Sequence, residues 1–232
     1  MGFTARICYL LPGVGMSPEE RERREGILNR IAAEETEIQV RQVAEGPQSI
    51  ENAVDEYQAL PQVLKFVMAH QDDYDGIILG CAGDAGMEGA REQSRIPIAG
   101  PGESSLLLGT VGDRRFSMIT VSAERAAVKR RLVREAGLDV NRLVSSHATG
   151  IPVKEMAQDH QRTKQALVRA MTEAKAQGAG VMILGCMTVA FMEPGLVKEA
   201  QEEAGLAVVN PIVTAVKMAE ALVAMQKYYE TA

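Results

Sequence analysis

The chain is poor in the residues on which special-purpose scaffolds are built. Three cysteines in 232 residues are too few, and odd in number, for a disulfide framework. A chain this long buries roughly 70% of its unfolded surface without such staples. No apolar run approaches the roughly 20 residues of a membrane span. The apolar stretch near the start, "ARICYLL", is too short for a secretory h-region with a cleavage site after it. No membrane association is therefore expected, and the expected setting is cytoplasmic and reducing, where thiols stay free. Basic charge is not in excess: 25 Lys and Arg stand against 31 Asp and Glu, for a net charge of −6. That excludes the basic face of a nucleic-acid binder. The one dense charge run, "EERERRE" (19–25), mixes signs and reads as a solvated helix face. The three histidines, His70, His147 and His160, have no partner at i+3 or i+4, so no metal site is expected. Neither "LPGVG" nor "GPGESSLLLG" is a GxGxxG fingerprint or a Walker loop, which counts against a dinucleotide or ATP site.

What is present is alternation. Short apolar runs of strand length, at 5–11, 37–43, 76–81, 96–100, 115–121, 142–148, 180–186 and 206–210, are separated by stretches of helical period. The expected helices cover 17–34, 52–71, 85–93, 102–111, 122–137, 154–178, 191–205 and 212–229. Ser17 with Pro18 is an N-cap followed by proline at the first helical position. Ser122 and Gly137 are the start and stop of another helix. Pro61 is expected to kink or break the helix at 52–71, whose apolar positions include Val54, Tyr57, Leu60, Leu64, Val67 and Met68. Strands such as "GIIL" and "VMIL", apolar at every position, belong to parallel sheets covered on both faces. The fold class is therefore α/β, and at about 150 residues per domain the length allows between one domain and two.

The two halves repeat. "DGIILGCAGDAG" (75–86) and "GVMILGCMTVAF" (180–191) each place a cysteine directly after a buried strand, and each is followed by a helix, a short strand and a proline, Pro101 or Pro211. Two α/β units result, each presenting one cysteine. In open parallel sheets ligands bind beyond the carboxyl ends of the strands. A helix N-terminus there favours negative charge and thiolate formation. Two such thiols, one on each side of a bound molecule, suit inversion of a carbon bearing an acidic hydrogen. One group removes the proton from one face and its counterpart delivers a proton to the other, and the reaction runs both ways. The competing reading is that strand-end cysteines are small core hydrophobes. Cys8, with nothing glycine-rich after it, is read that way.

On these stretches the chain resembles the aspartate/glutamate/hydantoin racemase superfamily, and its hydantoin racemase branch in particular. The two cysteine motifs carry the resemblance, supported by "IPIAGPGES", "ITVSAERAAVKRRLVREAGL", "ATGIPV" and "VVNPIVTAVKMAEALV". The resemblance implies two pseudo-symmetric units of parallel sheet flanked by helices, with the active site in the cleft between them. Residues 1–100 with 212–232 would form the unit carrying Cys81, and 101–211 the unit carrying Cys186. It also implies cofactor-independent racemisation or epimerisation with Cys81 and Cys186 as the acid/base pair. Relatives of the branch have an Asn-Pro-Asn type loop after the first strand and Ala-Gly after the second cysteine. Here "LLPGVG" keeps only Pro12 of the first, and Met187 and Thr188 replace the second.

The remaining substrate-binding candidates are Pro12, Gly13, Ala82, Gly83, Asp84, Glu103, Ser122, Met187 and Thr188. The residues after each cysteine offer backbone N–H donors for an enolate-like oxygen. Asp84, Ser122 and Thr188 are equally good helix caps, Gly83 an equally good turn glycine, and Glu103 an equally good helix-start carboxylate. His147, in "SSHATGIPV", is a further candidate for the cleft. The expected partner is a small molecule, first a 5-substituted hydantoin or allantoin-like compound. Alternatives are an aspartate or glutamate racemase, a maleate-type cis-trans isomerase and a non-catalytic binding protein. The identifiable site loops hold no Lys or Arg, which counts against an acidic amino acid. The long helix at 154–178 and the last helix either cover the sheets, the default, or form a contact in a homo-oligomer.

Overall fold

The computed structural model describes residues 5–112, 114–192 and 194–231. The first half forms strands β1 (Ala5–Leu11), β2 (Thr36–Gln42), β3 (Gly76–Leu79) and β4 (Ile98–Ala99), with helices α1 (Pro18–Ile31), α2 (Ala53–His70) and α3 (Met87–Gln93) between them. The strands pair in the order β2-β1-β3-β4, all parallel. The second half opens with helix α4 (Pro101–Gly109) and continues with β5 (Phe116–Thr120), α5 (Ala123–Ala127), α6 (Lys129–Glu135), β6 (Leu143–Ala148), α7 (Val153–Gln158), α8 (His160–Ala176), β7 (Val181–Leu184), α9 (Met187–Ala190), α10 (Pro194–Ala204) and β8 (Ala207–Val209). Its strands pair in the same order, β6-β5-β7-β8, and again all are parallel. The final helix, α11 (Pro211–Thr231), follows.

Two compact units result, one running to Pro101 and resuming at Ile212, the other spanning Gly102–Pro211. The last helix therefore returns to the first unit. There Val223 lies so close to Gly76 that a Cβ on that glycine would stand 2.8 Å from Val223 Cγ2. Lys227 pairs with Asp75 at 2.5 Å. In both units the third strand is buried along its whole length, which explains its unbroken apolar sequence. The first core gathers Cys8, Leu10, Val63, Val67, Ile77 and Leu79. In the second, Ile119, Met182 and Leu184 pack under Leu167 and Met171 of α8. Phe116, Met118, Val181 and Ile183 pack against Leu106 and Val133 on the other side. The buried face of α8 is Thr163, Ala166, Leu167, Ala170, Met171 and Ala174, a regular i, i+3, i+4 stripe.

Helix α1 starts as its sequence requires, with Ser17 accepting from the Glu20 N–H and Pro18 in the first turn. Its charge run is not wholly solvated. Arg24 is buried and paired with Glu20 at 2.8 Å. Glu25 and Asn29 seal the outer edge of β2: Glu25 accepts from the Val40 N–H, and Asn29 exchanges two hydrogen bonds with Ile38, each at 2.8 Å. An edge closed by side chains offers no template for another strand.

Three expectations need correction. Helix α2 runs unbroken through Pro61, which sits on the exposed face, where the carbonyl freed by the missing N–H faces water. Its buried stripe is Ala59, Val63 and Val67, whereas Val54, Tyr57 and Met68 are exposed. The helix expected at 122–137 is two, because the chain passes through Val128 with ψ near −4°. The helix expected at 154–178 is also two. Asp159 leaves the helical region, and its side chain accepts from the Arg162 N–H to cap α8. The short helix α9 was not expected at all. Among the described residues no helix is long and apolar enough to cross a membrane.

Candidate active site

Both cysteines stand two residues beyond the third strand of their own unit, and the intervening glycine explains how. The N–H of Gly80 donates to the Leu10 carbonyl at 2.7 Å, and that of Gly185 to Ile119 at 2.6 Å. A Cβ on Gly80 would lie 2.8 Å from the Leu10 oxygen and 2.7 Å from Cε1 of Tyr9, and one on Gly185 would lie 2.8 Å from the Ile119 oxygen. Only glycine lets the strand end approach its neighbour this closely. The repeated "LGC" is thus a device that carries a thiol to the carboxyl edge of the sheet. Both thiols are partly exposed, unlike Cys8, which is buried and whose thiol burial pushes up to about 12. Cys8 is a core residue, as its sequence context implies.

After Cys81 the chain makes a tight turn. The Cys81 carbonyl accepts from the Asp84 N–H at 3.0 Å, and the Gly83 N–H donates to Cys81 Sγ at 3.5 Å. Asp84 has φ +51°, a left-handed conformation that Asp tolerates better than most residues. Its carboxylate lies over Gly100 at the end of β4, where a Cβ would stand 2.7 Å from Asp84 Oδ1. Ala82 is buried beneath the turn. Gly83 therefore has a specific task at the thiol, and Gly100 is what makes room for Asp84.

After Cys186 the chain enters α9 directly. Cys186 occupies the N-cap position, with its carbonyl accepting from the Ala190 N–H at 3.1 Å. Met187 is buried and Thr188 half-buried in the first turn. Asn210, which aligns with Gly100 as the residue before the proline, donates from Nδ2 to the Ala190 carbonyl at 3.0 Å. One residue near this corner escaped the sequence reading. Lys129 is 1% exposed, and its Cε and Nζ would lie 3.3 and 3.4 Å from a Cβ on Gly185. The end of β7 therefore does have a cation near it. A signal exists in the sequence: Lys129 heads the stripe Lys129, Leu132, Val133 on α6, which Ala136 continues at the C-cap, and is the one charge in it.

The other candidates are placed as follows. Pro12 is buried at the end of β1. Gly13 and Gly15 lie under the loop after β2, where a Cβ would stand 2.8 Å from the Pro47 oxygen and 2.2 Å from the Gln48 oxygen, so backbone packing accounts for both glycines. Ser122 caps α5 by accepting from the Arg125 N–H at 3.3 Å. Glu103 lies in the first turn of α4, half-buried. His147 joins a short polar relay inside the second unit, with Nε2 2.9 Å from Ser145 Oγ, Ser145 Oγ 2.8 Å from Ser117 Oγ, and Nδ1 3.5 Å from Glu173. Among the described residues no three His, Cys, Asp or Glu side chains gather as a metal site. A groove of about 350 Å³ in the second unit, lined by α5, Arg130 and β6, contains neither cysteine.

The chain matches the family model described as Asp/Glu/Hydantoin racemase over residues 23–219. It is 29% identical to a hydantoin racemase of Rhizobium meliloti, over 81% of this chain and 76% of that one. The allantoin racemase structure from Klebsiella pneumoniae superposes with a TM-score of 0.81 at 28% identity, covering 96% of this chain and 89% of that chain. The allantoin racemase from Pseudomonas fluorescens gives 0.85 at 26%, covering 95% and 92%. With two four-stranded parallel sheets of one strand order, and a family model spanning most of its length, this chain belongs to the Asp/Glu/hydantoin racemase family.

Proposed function

We propose that this protein is a cofactor-independent racemase of a small cyclic ureide, a 5-substituted hydantoin or an allantoin-like compound. Cys81 and Cys186 would exchange a proton on opposite faces of the carbon next to the ring carbonyl. The observation that carries the reading is the matched placement of the two thiols, each delivered by a Leu-Gly-Cys step to the carboxyl edge of a sheet of the same strand order. The resemblance to hydantoin and allantoin racemases supports the substrate class. One thiolate takes the proton, and the thiol opposite supplies one to the other face. With the enantiomeric substrate the roles exchange, so the enzyme ends each turnover with the other thiol charged. The carbanion's charge spreads onto the carbonyl oxygen, where backbone donors of the turns at 81–84 and 186–188 are suited to receive it. A hydantoin proton, next to an imide-type carbonyl, is acidic enough for a thiolate to remove.

Proton NMR in D₂O, with optical rotation, tests this. Single enantiomers of several 5-substituted hydantoins, allantoin, aspartate and glutamate are incubated with the protein, with Cys81→Ser, with Cys186→Ser and with buffer alone. The expected result is loss of the C–H signal together with inversion of one ureide class, above the buffer rate, with inversion abolished in both variants. Exchange of aspartate or glutamate instead would move the substrate class. Undiminished inversion in either variant would refute the two-thiol mechanism.

A further inference from the structure

We propose that the outer face of α2 is a self-association surface, on which a second copy of this chain lays its own α2 antiparallel about a two-fold axis near Pro61. The inference stands apart from the racemase reading.

Helix α2 carries two apolar stripes rather than one. The first, Ala59, Val63 and Val67, is buried. The second runs Val54, Tyr57, Pro61, Leu64 and Met68. Of these, Val54, Tyr57 and Met68 are 61%, 71% and 55% exposed, Pro61 is exposed and Leu64 is half-buried. Successive members of the second stripe are alternately 3 and 4 residues apart, which is the period of a seam between two helices. Its surroundings are also unlike a solvated face. Of the eight exposed residues of α2 only Lys65 is charged, whereas four of the six exposed residues of α1 are. Depletion of charge together with Tyr and Met is the composition of a protein–protein contact at its core.

The pattern of the seam selects its occupant. A two-fold contact must be its own complement. This seam is, because Val54 stands as far before Pro61 as Met68 stands after it, so a copy turned end for end presents apolar residues to apolar residues. Charge selects the direction. The first turn is acidic, with Asp55 and Glu56, and the one exposed cation, Lys65, lies past the middle. Antiparallel pairing sets the acidic end of each helix toward the partner's Lys65 and opposes the two helix dipoles, whereas parallel pairing sets like against like. It also brings the partner's Lys65 toward Tyr57, whose carbonyl lost its helical N–H donor to Pro61.

Sedimentation equilibrium of the intact chain tests this. A single helix pair is at the small end of specific contacts, so a monomer–dimer equilibrium with Kd on the order of 10 µM is expected. Met68→Glu and Tyr57→Glu, each placing a carboxylate in the seam, should each raise Kd about thirtyfold. Both positions are exposed, so the circular dichroism of each variant should match that of the wild type. Adding Val54→Lys to Met68→Glu in the same chain should return Kd to within about threefold of the wild-type value, because the two ends of the seam meet across the axis and the introduced charges are opposite. A chain still monomeric at about 200 µM, well above that Kd, would leave the seam to some other partner and overturn the proposal. So would a dimer that neither single substitution weakens, since its contact would lie on another face. A double variant that associates more weakly than Met68→Glu alone would show like charges brought together, and would overturn the antiparallel pairing.

Discussion

At Cys81 the chain leaves the sheet through a left-handed turn, with a carboxylate folded over the next strand's glycine. At Cys186 it enters a helical turn, with an ammonium behind the preceding glycine. Up to that point the two units agree closely: strand order, the bond from the glycine N–H to the central strand, and the two-residue step from strand to sulfur. What is shared is what brings a thiol to the sheet edge. What differs is the charge and the set of backbone donors around it. A reversible inversion requires the two acid/base groups to be alike in kind, because each must serve as acid and as base. It does not require alike surroundings, since the two faces of a chiral carbon bound in one orientation present different neighbours to the protein.

The strongest test of this division exchanges the shared parts. Cys81→Ala and Cys186→Ala should each lower racemisation by about 10³-fold, within the range for loss of a proton-transfer group, while each variant exchanges deuterium into only one enantiomer. If both lost exchange of the same enantiomer, the thiols would not serve opposite faces. Next come the glycines. Gly80→Ala forces a methyl against the Tyr9 ring and the Leu10 oxygen, and should destabilise by about 3 kcal/mol. Gly185→Ala meets one backbone oxygen and the flexible end of Lys129, and should cost about 2 kcal/mol. Urea unfolding would measure both, and a reversed order would show that the second corner is the more tightly built.

These corners also show what a single sequence discloses. The repeated "ILGC", the alternation of strands and helices and the Ser17-Pro18 helix start are local signals, and the strands, sheets and cap they predict are present. The apolar positions of α2 do not by themselves show its buried face: Val54, Tyr57 and Met68 are apolar yet face outward, while small Ala59 faces the core. Helical period alone does not say which of two neighbouring stripes is buried. The breaks at Val128 and Asp159 carry no proline or glycine. The second is set by a carboxylate reaching back to the Arg162 N–H, a cap legible only once the helix is known to stop. Lys129 was passed over because the charges around it, "ERAAVKRR", look like a solvated face. The burial that makes it informative depends on residues from β5 and β7.

The smallest expected difference between the units lies in their response to acid. In the second, burial holds the His147 imidazole below its ordinary value of 6.5, with Glu173 opposing weakly. The unfolded chain then takes up a proton that the folded chain resists. Stability is complete above about pH 6.5 and is lost as pH falls through the lower folded value. In the first, hydrogen bonds from Arg23 and then Arg24 hold the Glu20 carboxyl at about 2, against an ordinary 4.5. Its contribution is present above 4.5 and lost on the way down to 2. The pair is partly exposed, so Glu20→Gln should cost no more than about 0.5 kcal/mol at neutral pH. Thermal melting followed from about pH 8 to pH 3 should show His147→Gln flattening the first decline by about 2 °C, leaving the later one unchanged. Glu20→Gln should do the reverse. If both variants altered the same part of the curve, acid sensitivity would belong to the whole chain rather than to its two units separately.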